Sequence, residues 1–177
     1  TPIKSSAASD VYKRQVCNLS KGMLSMLTVI IGLASKAEIT ILDEPAAGLD
    51  VIVREEFYKL IIDEQQENGR TFIISTHIIE EAANVFEEVI ILKDKCVYLK
   101  ENTVELLDKC RYVSGLEENV KNAVDGCKII NEEHIGRSYA VTVMQDGDGK
   151  IKAVQHVTVQ PVSLQNLFIA ICGQSNM

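Results

Sequence analysis

The chain has 177 residues, 46% of them hydrophobic and 24% charged, with a net charge of −7 at neutral pH. That length allows one domain, or one domain and a small appendage, and the acidic balance argues against a nucleic-acid binder, which needs a basic field. Five widely spaced cysteines (Cys17, Cys96, Cys110, Cys127 and Cys172), with no C-x-x-C pair, argue against a disulfide framework or a zinc site and for reduced thiols in a cytosolic protein.

Residues 1–15 show no hydrophobic period and no apolar core of a secretory signal. The run Asp10 to Gln15 resembles the translation of a transposon end used in sequencing-library preparation. The expectation is a non-native leader over residues 1–15, with a truncated natural protein behind it; a genuine disordered leader is the alternative. Ser20 is predicted to N-cap a helix reaching Ala34. Apolar residues lie on nearly every face of that stretch, which predicts burial. Its apolar run is shorter than the roughly 20 residues of a membrane span, and Ser25 and Thr28 interrupt it. A helix N-terminus flanked by Ser20 and Gly22 offers free N–H groups and a positive dipole end to an anion, although most such serines only cap.

Ile39 to Leu42 then run straight into Asp43, Glu44 and Pro45. A short apolar run bounded by a turn signal predicts a strand buried on both faces, ending where proline can no longer donate. Two carboxylates at the carboxyl end of such a strand occupy the place where open α/β sheets bind ligands. They are costly there without a cation, and a magnesium ion with nucleotide phosphates fits the need. From Val51 to Asn68, Val53, Phe57, Leu60 and Ile61 alternate with Arg54, Glu55, Glu56, Glu64 and Glu67 at helical spacing, and Asn68-Gly69 supplies a stop. Thr71 to Ser75 reads as the next buried strand, parallel to the first across a helical crossover. Thr76-His77 follow at the same sheet edge as Glu44, and a helix is predicted over 78–86.

The closing stretch reads as a hairpin, with strands over 88–93 and 96–100 around Asp94-Lys95. A helix over 101–109 comes next. A small α+β appendage follows: strands over 111–114, 127–131, 139–144 and 153–159, one helix over 117–124, and a last helix over 164–172 capped by Ser163. Asp146-Gly147-Asp148-Gly149 lacks the acidic ligands of a calcium loop and is predicted to be a turn. His134 and His156 have no ligand-spaced partners.

Leu19-Ser20-Lys21-Gly22-Met23, then Ile41-Leu42-Asp43-Glu44-Pro45, then Ala47-Gly48-Leu49-Asp50, then Ser75-Thr76-His77 resemble the signature, Walker B, D-loop and switch-histidine motifs of ATP-binding cassette (ABC) ATPases, in the family's order. The signature departs from the usual Leu-Ser-Gly-Gly-Gln at Lys21 and Met23. The resemblance implies an α/β fold: the C-terminal part of a P-loop NTPase, with parallel core strands and helices, over residues 16–110. An α+β region over 111–177 would complete it. It implies that Asp43 holds Mg²⁺ through water, Glu44 acts as general base on the attacking water, and His77 contacts the γ-phosphate. Ser20 and Gly22 would meet ATP bound by a second copy, and Asp50 would cross that dimer interface. ATP and Mg²⁺ are the implied cofactors. A second ATP-binding subunit and transmembrane permease subunits are the implied partners, on the cytoplasmic face of the membrane.

No G-x-x-x-x-G-K-[ST] phosphate cradle occurs in the chain, nor do the family's glutamine loop and adenine-stacking aromatic. The 177 residues alone are therefore expected to bind ATP weakly or not at all. The favoured function is the ATP-hydrolysing subunit of a membrane transporter, of the exporter kind. A soluble, non-transport ABC ATPase and a catalytically inactive interaction module stand as alternatives.

Overall fold

A computed structural model describes residues 19–136, 138–147 and 149–173. The leader expected over residues 1–15, Cys17 and Asp148 lie outside them. The chain divides into two compact units, one ending at Glu81 and the other beginning at Ala82.

The first unit opens with α1 (Lys21–Ala34), whose start is fixed by the Ser20 hydroxyl accepting from the Met23 N–H at 3.2 Å. β1 (Ile39–Asp43) follows, then α2 (Val51–Asn68), β2 (Thr71–Ser75) and the short α3 (Ile79–Ala82). Asp50 caps α2 by accepting from the Val53 N–H at 3.0 Å, and Gly69 ends it in the left-handed conformation. β1 and β2 pair in parallel, with Asp43 opposite Ser75, so both strands end level with one another. Thr40 and Leu42 turn toward α1, where Gly32 lets the helix lie close above their side chains.

Two expectations need correction. β1 is buried on one face only: Leu42 is 6% exposed whereas Ile41 is 73% exposed. α1 is likewise one-sided, with Val29 buried and Met23, Leu24, Ile30 and Ile31 open to solvent. Both readings equated apolar composition with burial. Burial needs a covering element on each side, and among the described residues the sheet has two strands and helices on one face. A third correction concerns the helix predicted over 78–86, which shrinks to Ile79–Ala82.

A guanidinium ties the first unit together. Arg70 is 5% exposed and donates to the carbonyls of Gly32, Leu33 and Ala37, to the Thr40 hydroxyl and to Glu64, at 2.8–3.2 Å. It also lies 5.0 Å above the Phe72 ring. The end of α1, both strands and α2 therefore converge on one side chain.

The second unit begins with the antiparallel hairpin β3 (Glu88–Lys93) and β4 (Cys96–Asn102). Asp94 and Lys95 both take positive φ, the mirror-image turn whose twist matches a two-residue hairpin. α4 (Thr103–Lys109) leads into a four-stranded antiparallel sheet built from β5 (Cys110–Gly115), β6 (Lys128–Ile135), β7 (Ser138–Met144) and β8 (Val157–Pro161), in the order β6-β7-β5-β8. α5 (Glu117–Ala123) packs on it, and Val113, Val120, Val124, Tyr139, Val141 and Val143 form its core. α6 (Leu164–Cys172) closes the described chain, capped by Ser163 as expected.

The four described cysteines carry free thiols. Burial is the main force pushing the Cys110 thiol up to about 11, while Cys96 is exposed. Iodoacetamide at about pH 8 should therefore modify Cys96 quickly and Cys110 only after unfolding. Peptide mass mapping reads this directly, and equal native-state rates at the two positions would contradict the buried placement of Cys110.

Candidate active site

The level ends of β1 and β2 bring the acidic pair and the histidine together. The Ser75 hydroxyl donates to Asp43 Oδ1, which fixes that carboxylate across the strand pair. The next residue, Glu44, leaves the strand with φ +47°. A left-handed conformation at a non-glycine residue is a strain that persists where its surroundings over-determine it. Its N–H reaches back to the Ser75 carbonyl at 2.9 Å, and its carbonyl accepts from the Ala47 N–H at 3.1 Å. This turn lifts the Glu44 carboxylate above the sheet edge. There Oε1 lies 2.7 Å from Nδ1 of His77, whose imidazole is 73% exposed. The other oxygen, Oε2, is shut off from solvent with no hydrogen-bond partner among the described residues. Thr76 shapes the approach, its hydroxyl accepting from the Ile78 N–H at 3.0 Å.

One oxygen braced by a charge-assisted contact and one left without a donor give a carboxylate that is oriented yet under-satisfied. Such a group can accept a proton from a water that gains access to the carboxylate. Asp43 offers an exposed carboxylate steadied by Ser75. Among the described residues no three His, Cys, Asp or Glu side chains gather into a metal cage. A magnesium ion does not require one: it takes one or two carboxylates, several waters and substrate phosphates. The donor set therefore fits Mg²⁺ bound together with a nucleotide, and fits a free structural metal poorly.

Ser20, Gly22 and Asp50 lie apart from that pair, and each has a local task. Ser20 and Asp50 are helix caps, as described above. Gly22 stands against the backbone of the loop before α2: a β-carbon there would lie 2.5 Å from the Gly48 carbonyl oxygen. Gly48 itself has φ +81°, and the Ser25 hydroxyl donates to the Ala47 carbonyl at 3.3 Å. The first turn of α1 and the loop 46–50 are thus in direct backbone contact. Sequence reasoning missed this, because a glycine required by a carbonyl 26 positions away leaves no local signal. Gly22→Ala should cost about 1–3 kcal/mol, as overpacking against backbone usually does. Urea unfolding measures it, and an unchanged midpoint would deny the contact.

Comparison with known proteins bears on the same residues. Residues 9–83 match the family model described as "AAA domain, putative AbiEii toxin, Type IV TA system". An uncharacterized ABC transporter ATP-binding protein of Methanocaldococcus jannaschii is 33% identical over 156 residues, covering 88% of this chain and 54% of that protein. The chain is a relative of ABC transporter ATP-binding proteins. The ABC transporter ATP-binding protein YtrB of Bacillus subtilis (strain 168) is 23% identical over 161 residues, covering 88% of this chain and 55% of that protein. A solved structure of an inward-facing "putative metal-chelate type ABC transporter" aligns with a TM-score of 0.47 at 18% identity, over 86% of this chain and 51% of that one. The chain spans about half the length of these ABC relatives and aligns to their C-terminal portions. The α/β fold expected for that portion is present, with β1 and β2 parallel in the first unit and an antiparallel sheet with helices in the second.

Proposed function

We propose that the chain is part of the nucleotide-binding subunit of a membrane ABC transporter, of the exporter kind, and that the full-length subunit hydrolyses ATP. The observation that carries this reading is the Glu44–His77 contact at the level ends of two parallel strands. Asp43 would hold Mg²⁺ through water, and the ion would neutralise charge on the nucleotide's phosphates. Glu44, braced by His77, takes the proton of the attacking water. His77, with Nδ1 on Glu44, presents its Nε2 edge to the γ-phosphate and donates to it when the ring carries both protons. Phosphoryl transfer is mainly positioning and electrostatics, so these fixed groups are the chemistry the protein must supply.

Ser20 and Gly22 serve ATP held by a second full-length subunit, and Asp50 lies at the interface with that subunit. Residues 16–110 carry the ATPase part and residues 111–177 form an α+β appendage. Among the described residues no helix is long and apolar enough to cross a membrane. The membrane path would then belong to separate permease subunits, with this chain peripheral on their cytoplasmic side. The test is phosphate release from ATP by the assembled subunits. Release should require Mg²⁺ and stop on chelation. No release from an assembly containing the full-length subunit would overturn the reading.

A further inference from the structure

Glu44 and His77 meet through loops: backbone bonds to Ser75 and Ala47 hold the Glu44 turn, while the histidine loop has one local bond, from the Ile78 N–H to the Thr76 hydroxyl. Glu44 occupies a left-handed turn, and the imidazole of His77 is mostly in solvent. The element that follows His77, α3, has four residues and is too short to be stable by its own hydrogen bonds. Something outside α3 must fix where His77 stands. Arg54, in the first turn of α2, reaches Glu81 of α3, with Nη1 3.1 Å from Oε1. The Arg54 side chain is largely covered at 17% exposure and that of Glu81 is a third exposed at 34%, so the pair is less screened than a fully exposed salt bridge. Its two ends are informative. Arg54 lies four residues after Asp50, its N–H bonded to the Asp50 carbonyl at 3.0 Å. Glu81 lies four residues after His77.

We propose that the Arg54–Glu81 ion pair is a positioning element that holds His77 against Glu44 by locking α3 to the start of α2. This rests on the ATPase reading for its consequence in turnover, though not for its geometry. Tyr58 lies one turn beyond Arg54 on α2. Its hydroxyl is buried without a partner among the described residues. Burial raises its pKa, Glu81 and Glu44 raise it further, and Arg54 opposes them. Arg54 Nε has no acceptor among the described residues, so the guanidinium has donor capacity beyond Glu81. The pair also joins the loop at Asp50 to the histidine loop, so a displacement of either is felt by the other.

The tautomer of His77 reads the geometry without any nucleotide. A neutral imidazole whose Nδ1 lies against a carboxylate carries its proton on Nδ1. In long-range ¹H–¹⁵N spectra of the full chain, His77 should show the Nδ1–H form, and Glu44→Ala should abolish that preference. Glu81→Gln keeps the side-chain shape and removes the charge. It should shift His77 toward the Nε2–H form, and the reversed pair Arg54→Glu/Glu81→Arg should restore Nδ1–H. A folded Glu81→Gln protein with an unchanged His77 tautomer overturns the proposal, as does failure of a folded reversed pair to restore it. In the ATP-hydrolysing assembly, Glu81→Gln should lower kcat about tenfold or more at unchanged KM, the mark of a displaced catalytic group. An unchanged kcat overturns the positioning role. No turnover by the unsubstituted assembly would instead overturn the ATPase reading and leave the tautomer result to decide the geometry.

Discussion

Replacing Glu44 by Gln should reduce ATP turnover by the assembled subunits about 10²- to 10⁴-fold, the usual contribution of a general base, while leaving nucleotide binding intact. The side chains are isosteric, so the amide oxygen can still accept from Nδ1 of His77. Backbone geometry is not at stake, since glutamine tolerates φ +47° no worse than glutamate. What is lost is the carboxylate's ability to take a proton from the attacking water. The variant should therefore accumulate with ATP bound and unhydrolysed. Phosphate release and retained nucleotide, measured on the same preparation, check both halves of the expectation. Turnover at the parental rate would remove Glu44 from the base role. Loss of binding along with turnover would assign it to ground-state contacts instead.

The second large effect is on stability. Arg70→Met should cost about 3–5 kcal/mol, the range seen when one member of a buried ionic network is removed. Against a typical total of about 5–15 kcal/mol, that loss approaches unfolding of the first unit. Methionine fills much of the volume. It leaves the Gly32, Leu33 and Ala37 carbonyls, the Thr40 hydroxyl and Glu64 without the donor that now serves all five. Arg70→Lys should not rescue, because one ammonium cannot span acceptors arranged around a planar fork. Urea unfolding monitored on the first unit decides the matter, and a loss below about 1 kcal/mol would contradict the network.

The same network sets a pH dependence. Hydrogen bonds from Lys36 and Arg70 are the main reason the Glu64 carboxyl titrates below its ordinary 4.5. A carboxylate stabilised in the folded state contributes above its unfolded pKa and loses that contribution as pH falls through the folded one. The parent should therefore lose stability on acidification below about pH 4.5 more steeply than Glu64→Gln. Parallel slopes in the two proteins would detach Glu64 from acid sensitivity.

Much of the architecture was legible in the residues because its signals are local. Ser20, Asn68-Gly69 and Ser163 mark helix ends where the helices start and stop, and Asp94-Lys95 turns the hairpin. The parallel pairing that sets Glu44 beside His77 was also readable, because two strand patterns separated by one helix leave few topologies. Less visible was anything that depends on a distant partner. Arg70 sits after a helix stop with no periodic neighbours, and its five acceptors are scattered over more than 30 positions of sequence. Arg54 and Glu81 are 27 residues apart and read singly as two exposed charges. Asp50 carried a reading about a partner subunit while its cap of α2 went unremarked. Burial was overread for the opposite reason: an apolar run states what a strand can tolerate on each face, while coverage is a property of other elements.

The open face of the β1–β2 sheet has a colloidal consequence. Ile39, Ile41 and Ile73 present aliphatic side chains on one side of a parallel strand pair, an apolar surface of the kind that drives association. A net charge of −7 opposes that contact by mutual repulsion between molecules. Repulsion of this sort weakens as the Debye length shrinks from about 30 Å at 0.01 M salt to about 10 Å at 0.1 M. Added salt leaves the aliphatic attraction in place and weakens what resists it. Chains handled on their own should therefore self-associate more at moderate ionic strength than in dilute buffer, the reverse of an assembly held by ion pairs.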